Sequence, residues 1–210
     1  MKKRLGAVLY DDFELLDAYG PLEMFGVLGD QVEIVVIAER KGPVRSSGGP
    51  STLAEYDFDD APELDLILLP GGIGTLAELE NQAMLDFLKA RAPRSEITMS
   101  VCSGSAILAR AGLLDGLPAT SNKMFFSLAS SQSDGVDWRE AARWVDAGQY
   151  VTSSGVSAGT DMALAVIERL FGTETAEAAA RFTEYQWHRD ADDDPFKAFL
   201  NQADAAALPG

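Results

Sequence analysis

Short apolar runs alternate along the chain with longer stretches in which apolar side chains recur every three or four positions. The runs at residues 5–10, 32–38, 66–69 and 96–101 suit strands buried on both faces, as in a parallel sheet. The stretches at 15–28, 81–90, 104–111, 156–171 and 174–185 suit helices. Alternation of this kind predicts an α/β domain, a mostly parallel sheet covered by helices on both faces. Pro21 falls inside the first helical stretch and predicts a kink, a break or a new first turn there. Residues 42–51, rich in Gly, Pro and Ser, read as a polar connection, and residues 124–129 as a short helix. Residues 143–146 and 149–153 read as two strands joined by a tight turn at Ala147-Gly148. Asp194-Pro195 reads as the cap and first position of a terminal helical segment that contains Phe196, Phe199 and Leu200. No repeat or linker divides the sequence, so the expectation is one domain over residues 1–210 with a C-terminal helical extension from about 186.

Composition narrows the function classes. The 33 Asp and Glu outweigh the 17 Lys and Arg, a formal net charge of -16. Such a surface repels phosphate backbones and anionic lipid heads, so neither nucleic acid nor membrane is the expected partner, and acidity alone does not specify a substrate. No apolar run approaches the roughly 20 residues needed to cross a bilayer. The start, Met1 to Tyr10, has a basic and an apolar part, but Asp11, Asp12 and Glu14 follow at once, and a first strand is the better reading than a signal peptide. The single cysteine excludes an intrachain disulfide framework and, with the lack of a targeting segment, points to the cytoplasm.

That cysteine, Cys102, stands where an extended run, Ile97 to Val101, meets the small residues Ser103-Gly104-Ser105-Ala106 and a helical pattern. A sharp strand-to-helix turn there exposes the sulfur near helix N-terminal amides, which favours a thiolate. The same small residues also suit close helix packing around an inert buried thiol. After the strand at 66–69, Pro70-Gly71-Gly72-Ile73-Gly74 turns the chain and can offer backbone N–H groups to a developing anion; Gly72 and Ser103 are the attractive donor pair. The run lacks the ending of a phosphate-binding loop and the spacing of a dinucleotide fingerprint. Glu14 and Asp17, three apart on one helical face, are the candidate acid or base partners. His188, the only histidine, reads as a helix C-cap or surface contact rather than a catalytic group. Asp190 and Asp192 to Asp194 read as a solvated, capping charge run, since calcium-loop spacing is missing. No compact ligand pattern predicts a metal.

Asp17-Ala18-Tyr19-Gly20-Pro21-Leu22-Glu23-Met24-Phe25, Leu69-Pro70-Gly71-Gly72 and Val101 to Gly116 together resemble the DJ-1/PfpI superfamily. Pro118-Ala119-Thr120 and Gly155 to Asp161 continue the resemblance, which spans residues 4 to 185. It implies a flavodoxin-like three-layer α/β sandwich of the class I glutamine amidotransferase-like type, with the nucleophile elbow at Cys102. The nearer resemblance is to isonitrile hydratases, in which an aspartate of the first helix accompanies the cysteine. It assigns that role to Asp17 rather than Glu14, and the oxyanion or water-positioning backbone to Gly72 and Ser103. Asn122 and Gly71 are possible pocket residues.

Two departures stand out. Ser103 replaces a threonine common after the cysteine, and Asn122 occupies a position where many relatives carry a histidine; an amide cannot act as a general base. The resemblance implies cofactor-independent, metal-free hydration of an isonitrile to an N-substituted formamide through a Cys102 thioimidate, in a homodimer. The alternatives are a deglycase, a glyoxalase, a cysteine redox stress sensor or, outside enzymes, a small-molecule-binding regulatory domain. Against the last, the usual helix-turn-helix extension does not follow in this sequence.

Overall fold

The structure is a computed structural model that describes residues 2–202. Strand β1 (Lys3–Val8) leads into helix α1 (Leu15–Gly26), which returns the chain to β2 (Val32–Ala38). A hairpin, β3 (Gly42–Arg45) and β4 (Ser51–Ala54), precedes the short strand β5 (Tyr56–Asp57) and the central strand β6 (Leu66–Leu69). Then come α2 (Thr75–Glu78), α3 (Gln82–Arg91), β7 (Ile97–Val101), α4 (Gly104–Arg110), β8 (Pro118–Ala119), α5 (Phe126–Ser130) and β9 (Asp137–Trp138). Finally β10 (Trp144–Asp146) and β11 (Tyr150–Ser153) are followed by α6 (Ala158–Phe171) and α7 (Thr173–Phe182).

Seven strands form one sheet in the order β10-β11-β7-β6-β1-β2-β5. All neighbours pair in parallel except β10 with β11, the predicted tight hairpin, where Gly148 takes a φ of 85°. Every residue of β6 is fully buried, as its unbroken Leu-Ile-Leu-Leu requires of a strand covered on both sides. Helices α1, α6 and α7 pack together on one face, and α2, α3, α4 and α5 on the other. This is the flavodoxin-like three-layer sandwich. From β1 the chain proceeds outwards to β2 on one side and to β6, β7 and β11 on the other, so the sheet's switch point lies between β1 and β6. Ligands of open α/β sheets bind beyond the carboxyl ends of the strands at such a point. The loops that follow β1, β6 and β7 converge there.

Several elements differ from the sequence reading. The connection over 42–51 contains strand β3 and the first residue of β4: the polar Gly-Pro-rich run turns within a hairpin that pairs with itself outside the main sheet. Helix α1 runs through Pro21 without interruption. It does so because its packing against α6 and β2 outweighs the hydrogen bond the Asp17 carbonyl loses four residues back, a defect of about 3 kcal/mol in an isolated helix. The helical extension from 186 is replaced, among the described residues, by an irregular strap with one 3₁₀ turn at Lys197–Phe199. Its backbone bonds go to the body of the domain instead: Ala191 accepts from Arg143 N, and Asp194 N and Asn201 N donate to Ala141 and Lys123. Residues 203–210 of the predicted extension lie outside the described residues. No helix among the described residues is long and apolar enough to cross a membrane.

Candidate active site

Cys102 sits between β7 and α4 with a φ of 57°, a left-handed conformation that non-glycine residues adopt only under tertiary constraint. The constraint is visible. Its N–H is shared between the Ser153 and Ser154 carbonyls at 3.2 Å, and its own carbonyl accepts from Ser105 Oγ (3.1 Å) and Ser121 Oγ (3.0 Å). Glycines let neighbouring chains approach: a Cβ on Gly104 would lie 2.5 Å from the Leu69 carbonyl oxygen, and one on Gly71 would lie 2.6 Å from Ser103 N. The elbow is therefore pressed against the end of β6, and the sulfur is held where the switch-point loops meet.

Asp17 reaches this place from the first turn of α1 and is completely buried. Gly71 N–H donates to its Oδ2 across 3.0 Å, while Oδ1 has no hydrogen-bond partner; the Cys102 thiol is a close neighbour of the carboxyl. Burial raises its pKa from the ordinary 3.8 to about 8, with Glu14 adding to the rise and the Gly71 and Cys102 hydrogen bonds opposing it. Desolvation thus outweighs the helix N-terminus, which would favour the carboxylate. Burial likewise pushes the Cys102 thiol well up, and the Asp17 charge pushes it further; the Ser103 amide, Asn122 and the Ser103 hydroxyl pull it down without prevailing. The elbow amides alone do not produce the thiolate suggested by the sequence. Ionisation of the thiol is instead tied to the proton on Asp17.

Asn122 approaches from the other side. Its Oδ1 accepts from Phe125 N–H at 3.0 Å, which directs the amide nitrogen towards Cys102, and Nδ2 donates to Sγ across 3.1 Å. An amide cannot take a proton from the thiol, but it stabilises negative charge on sulfur or on an adduct. Gly71, a predicted pocket residue, acts on the Asp17 carboxyl through its amide, and Gly72 is committed elsewhere. Gly72 N–H donates to Ser103 Oγ at 3.1 Å. Ser103 Oγ contacts Thr75 Oγ1 at 2.8 Å, and Thr75 Oγ1 contacts Tyr10 Oη at 3.0 Å. Tyr10 has one proton and donates it to the Pro70 carbonyl at 2.7 Å. These hydroxyls form one hydrogen-bonded chain from Ser103 through Thr75 to Tyr10 and the Pro70 carbonyl. This relay pins the loop after β6. The Ser103 amide, which approaches the sulfur, is the remaining backbone donor of the predicted pair.

Glu14 points away from the sulfur and accepts from Ser47 Oγ. His188 is exposed and lies beyond the end of α7; its backbone N–H donates to Asp161 Oδ1 at 2.8 Å. Of the acidic run, Asp190, Asp192 and Asp193 are exposed. Asp194 is not: it is fully buried, faces Arg143 Nη1 at 3.9 Å and caps Phe196 N–H at 2.8 Å. Arg143 in turn binds Asp161 through Nε and Nη2 at 2.8 and 2.6 Å. Lys123 is also buried, with its ammonium on Thr120 Oγ1 and the Ser121 and Ala142 carbonyls. Burial lowers its pKa to about 8. Among the described residues no group of three or more His, Cys, Asp or Glu is placed to hold a metal.

Residues 3–169 match the model of the DJ-1/PfpI family. The isonitrile hydratase of Pseudomonas putida is 32% identical over 185 residues, 88% of this chain and 79% of that enzyme. The HTH-type transcriptional regulator GbdR of Pseudomonas aeruginosa is 29% identical over 195 residues, 90% of this chain; the chain spans 52% of that regulator. Among solved structures, a ThiJ/PfpI family protein from Pseudomonas syringae superposes with a TM-score of 0.80 at 33% identity, covering 93% of this chain and 77% of that one.

Proposed function

The chain belongs to the DJ-1/PfpI family, and from that premise we propose that it hydrates an organic isonitrile to an N-substituted formamide. The observation that supports this best is the buried Asp17 carboxyl, held by Gly71 N–H beside the Cys102 thiol. Similarity to the Pseudomonas putida isonitrile hydratase points the same way. In the ionised form Asp17 accepts the Sγ proton as sulfur attacks the terminal carbon, then delivers that proton to the same carbon. A carbon–sulfur and a carbon–hydrogen bond form, giving a thioimidate, Cys–S–CH=N–R. Water adds across C=N, its hydroxyl to carbon and its proton to nitrogen. The tetrahedral adduct expels sulfur, and the hydroxyl proton returns to the Asp17–Cys102 pair. Asn122 Nδ2 and the Ser103 amide steady negative charge near sulfur during both steps.

The reading includes a homodimer in the cytoplasm, with Leu16 and Tyr19 of α1 and Leu53 of the hairpin, all substantially exposed, as its apolar contacts. Sedimentation velocity is expected to show a species of twice the chain mass.

The deciding experiment follows formamide release from alkyl and aryl isonitriles by the purified chain and by folded Cys102→Ser and Asp17→Asn variants. Saturable turnover lost by at least 100-fold in both variants is the expected result. Turnover that survives in Cys102→Ser rules out the covalent route. No turnover with an intact, alkylatable Cys102 moves the assignment to deglycase, glyoxalase or sensor chemistry. The likeness to GbdR makes ligand binding without turnover the non-enzyme alternative, visible as saturable binding of an isonitrile without formamide.

A further inference from the structure

The loop that carries Asn122 runs directly into α5, and that helix has no cap of its own: Phe125, at the N-cap position, makes no side-chain bond to the first turn. Free N–H groups at a helix start need partners from elsewhere. Two asparagines supply them. Asn122 Oδ1 accepts from Phe125 N–H, and Asn201, in the strap after α7, accepts from Ser127 N–H through Oδ1 at 2.7 Å. The backbone N–H of Asn201 donates to the Lys123 carbonyl at 2.8 Å. One strap residue therefore grips both ends of the segment 123–127, and Asn122 immediately precedes that segment. We propose that Asn201 is a positioning residue, which through this grip holds Asn122 Nδ2 against Cys102 Sγ. The inference rests on the reading of Cys102 as the nucleophile.

The geometry of the grip is specific. Asn201 takes a φ of 55°, a left-handed conformation that Asn adopts more readily than most residues. It is exposed, so its contribution lies in hydrogen bonds rather than in filling the core. The loop is fixed from within by Lys123, whose buried ammonium binds Thr120 Oγ1 at 2.8 Å and the Ala142 carbonyl at 2.6 Å. On another side Asn122 rests on backbone, since a Cβ on Gly155 would lie 2.2 Å from Nδ2. The outer side, where Phe125 is exposed, is the one the strap closes. The strap is anchored to the same framework: Asp194 N donates to the Ala141 carbonyl, next to the carbonyl that receives the Lys123 ammonium. Asn122 donates to sulfur across 3.1 Å, and a bond from N–H to a developing thiolate weakens steeply as its angle departs from linear. A loop released on its outer side loses that alignment first.

The test follows alkylation of Cys102 by iodoacetamide in the full chain at about pH 7, read by intact mass. Sulfur displaces iodide and only the thiolate reacts, so the rate reports how well negative charge on sulfur is stabilised. Asn201→Gly tolerates the left-handed backbone and keeps the N–H to Lys123 but removes the cap on Ser127; Asn201→Asp keeps the acceptor. Asn201→Gly is expected to react about fivefold more slowly than wild type, and Asn201→Asp within about twofold of it. In an Asn122→Ala background, itself about tenfold slow, Asn201→Gly should change nothing further. Circular dichroism verifies that each variant folds. A wild-type rate in Asn201→Gly overturns the proposal. So does a faster rate, which would make the strap a cover over the thiol rather than a support for Asn122. A slowing that persists in the Asn122→Ala background also overturns it, because Asn201 would then act by another route. Formamide release is measured separately: its absence removes the reaction and leaves the positioning role, whereas an unaltered alkylation rate removes the role and leaves the reaction.

Discussion

At the scale of single residues, Asp17 is the most informative. In the unfolded chain it ionises near pH 4, and in the folded protein it keeps its proton to about 8. Between these values the unfolded chain binds fewer protons, so stability falls as pH rises through that window. Asp17→Asn keeps an acceptor for Gly71 N–H and removes the ionisation. Urea unfolding is expected to show it more stable than wild type at pH 7, by up to about 4 kcal/mol, with the gap closing below about pH 4. Its activity should move in the opposite direction. Wild-type kcat/KM should rise through about pH 8 as Asp17 becomes the carboxylate that accepts the thiol proton, and the Asp17→Asn variant should lack that inflection. The residue type and position were legible in the sequence, because helix and motif placed a carboxylate before Pro21. Its protonation was not, since a pKa is set by the desolvation that packing from elsewhere imposes. Gly72 shows the same limit: its place after β6 was legible, whereas the Ser103 hydroxyl that occupies its amide comes from another loop.

At the scale of elements, the elbow depends on how closely β6 and α4 approach. Gly104→Ala places a Cβ 2.5 and 2.8 Å from the Leu69 and Pro70 carbonyl oxygens, backbone atoms that cannot rotate away. The variant is expected to lose about 1–3 kcal/mol and to change the alkylation rate of Cys102. Gly26→Ala, at the end of α1, is the contrast. Its Cβ meets nothing closer than Ile34 Cδ1 at 3.8 Å, and it should stabilise by about 0.5 kcal/mol by restricting the unfolded chain. The main strands and helices followed from local periodicity. The hairpin of β3 and β4 did not, because its strands pair only with each other and each buries a single residue, Val44 and Ala54, too few to set up an alternating pattern. The strap after α7 escaped for a related reason. Its acidic run reads as solvated until Arg143, about 50 residues earlier, is brought against Asp194.

For the whole molecule, the net charge of -16 acts on every element at once. Most ion pairs lie at the surface, where each contributes little, so repulsion among excess carboxylates dominates the response to salt. The melting temperature is expected to rise as sodium chloride increases from about 0.02 to 0.5 M, over which the screening length shrinks from about 20 to 4 Å. A melting temperature that falls instead would show that the surface pairs outweigh the repulsion.

By itself the sequence determined the alternation of strands and helices, the three layers that follow from it, and the placing of Cys102 at a strand-to-helix junction. Those are properties of neighbouring residues, expressed through periodicity and through the small side chains a tight turn demands. Tertiary structure decided which carboxyl meets the thiol, which amides stay free and why Lys123, Arg143, Asp161 and Asp194 share a buried cluster. It also decided that Phe196 lines a pocket together with Asn122, 74 positions earlier. These depend on distance and water exclusion between segments remote in the chain, and no local pattern encodes the loss of solvent that gives such contacts their energy.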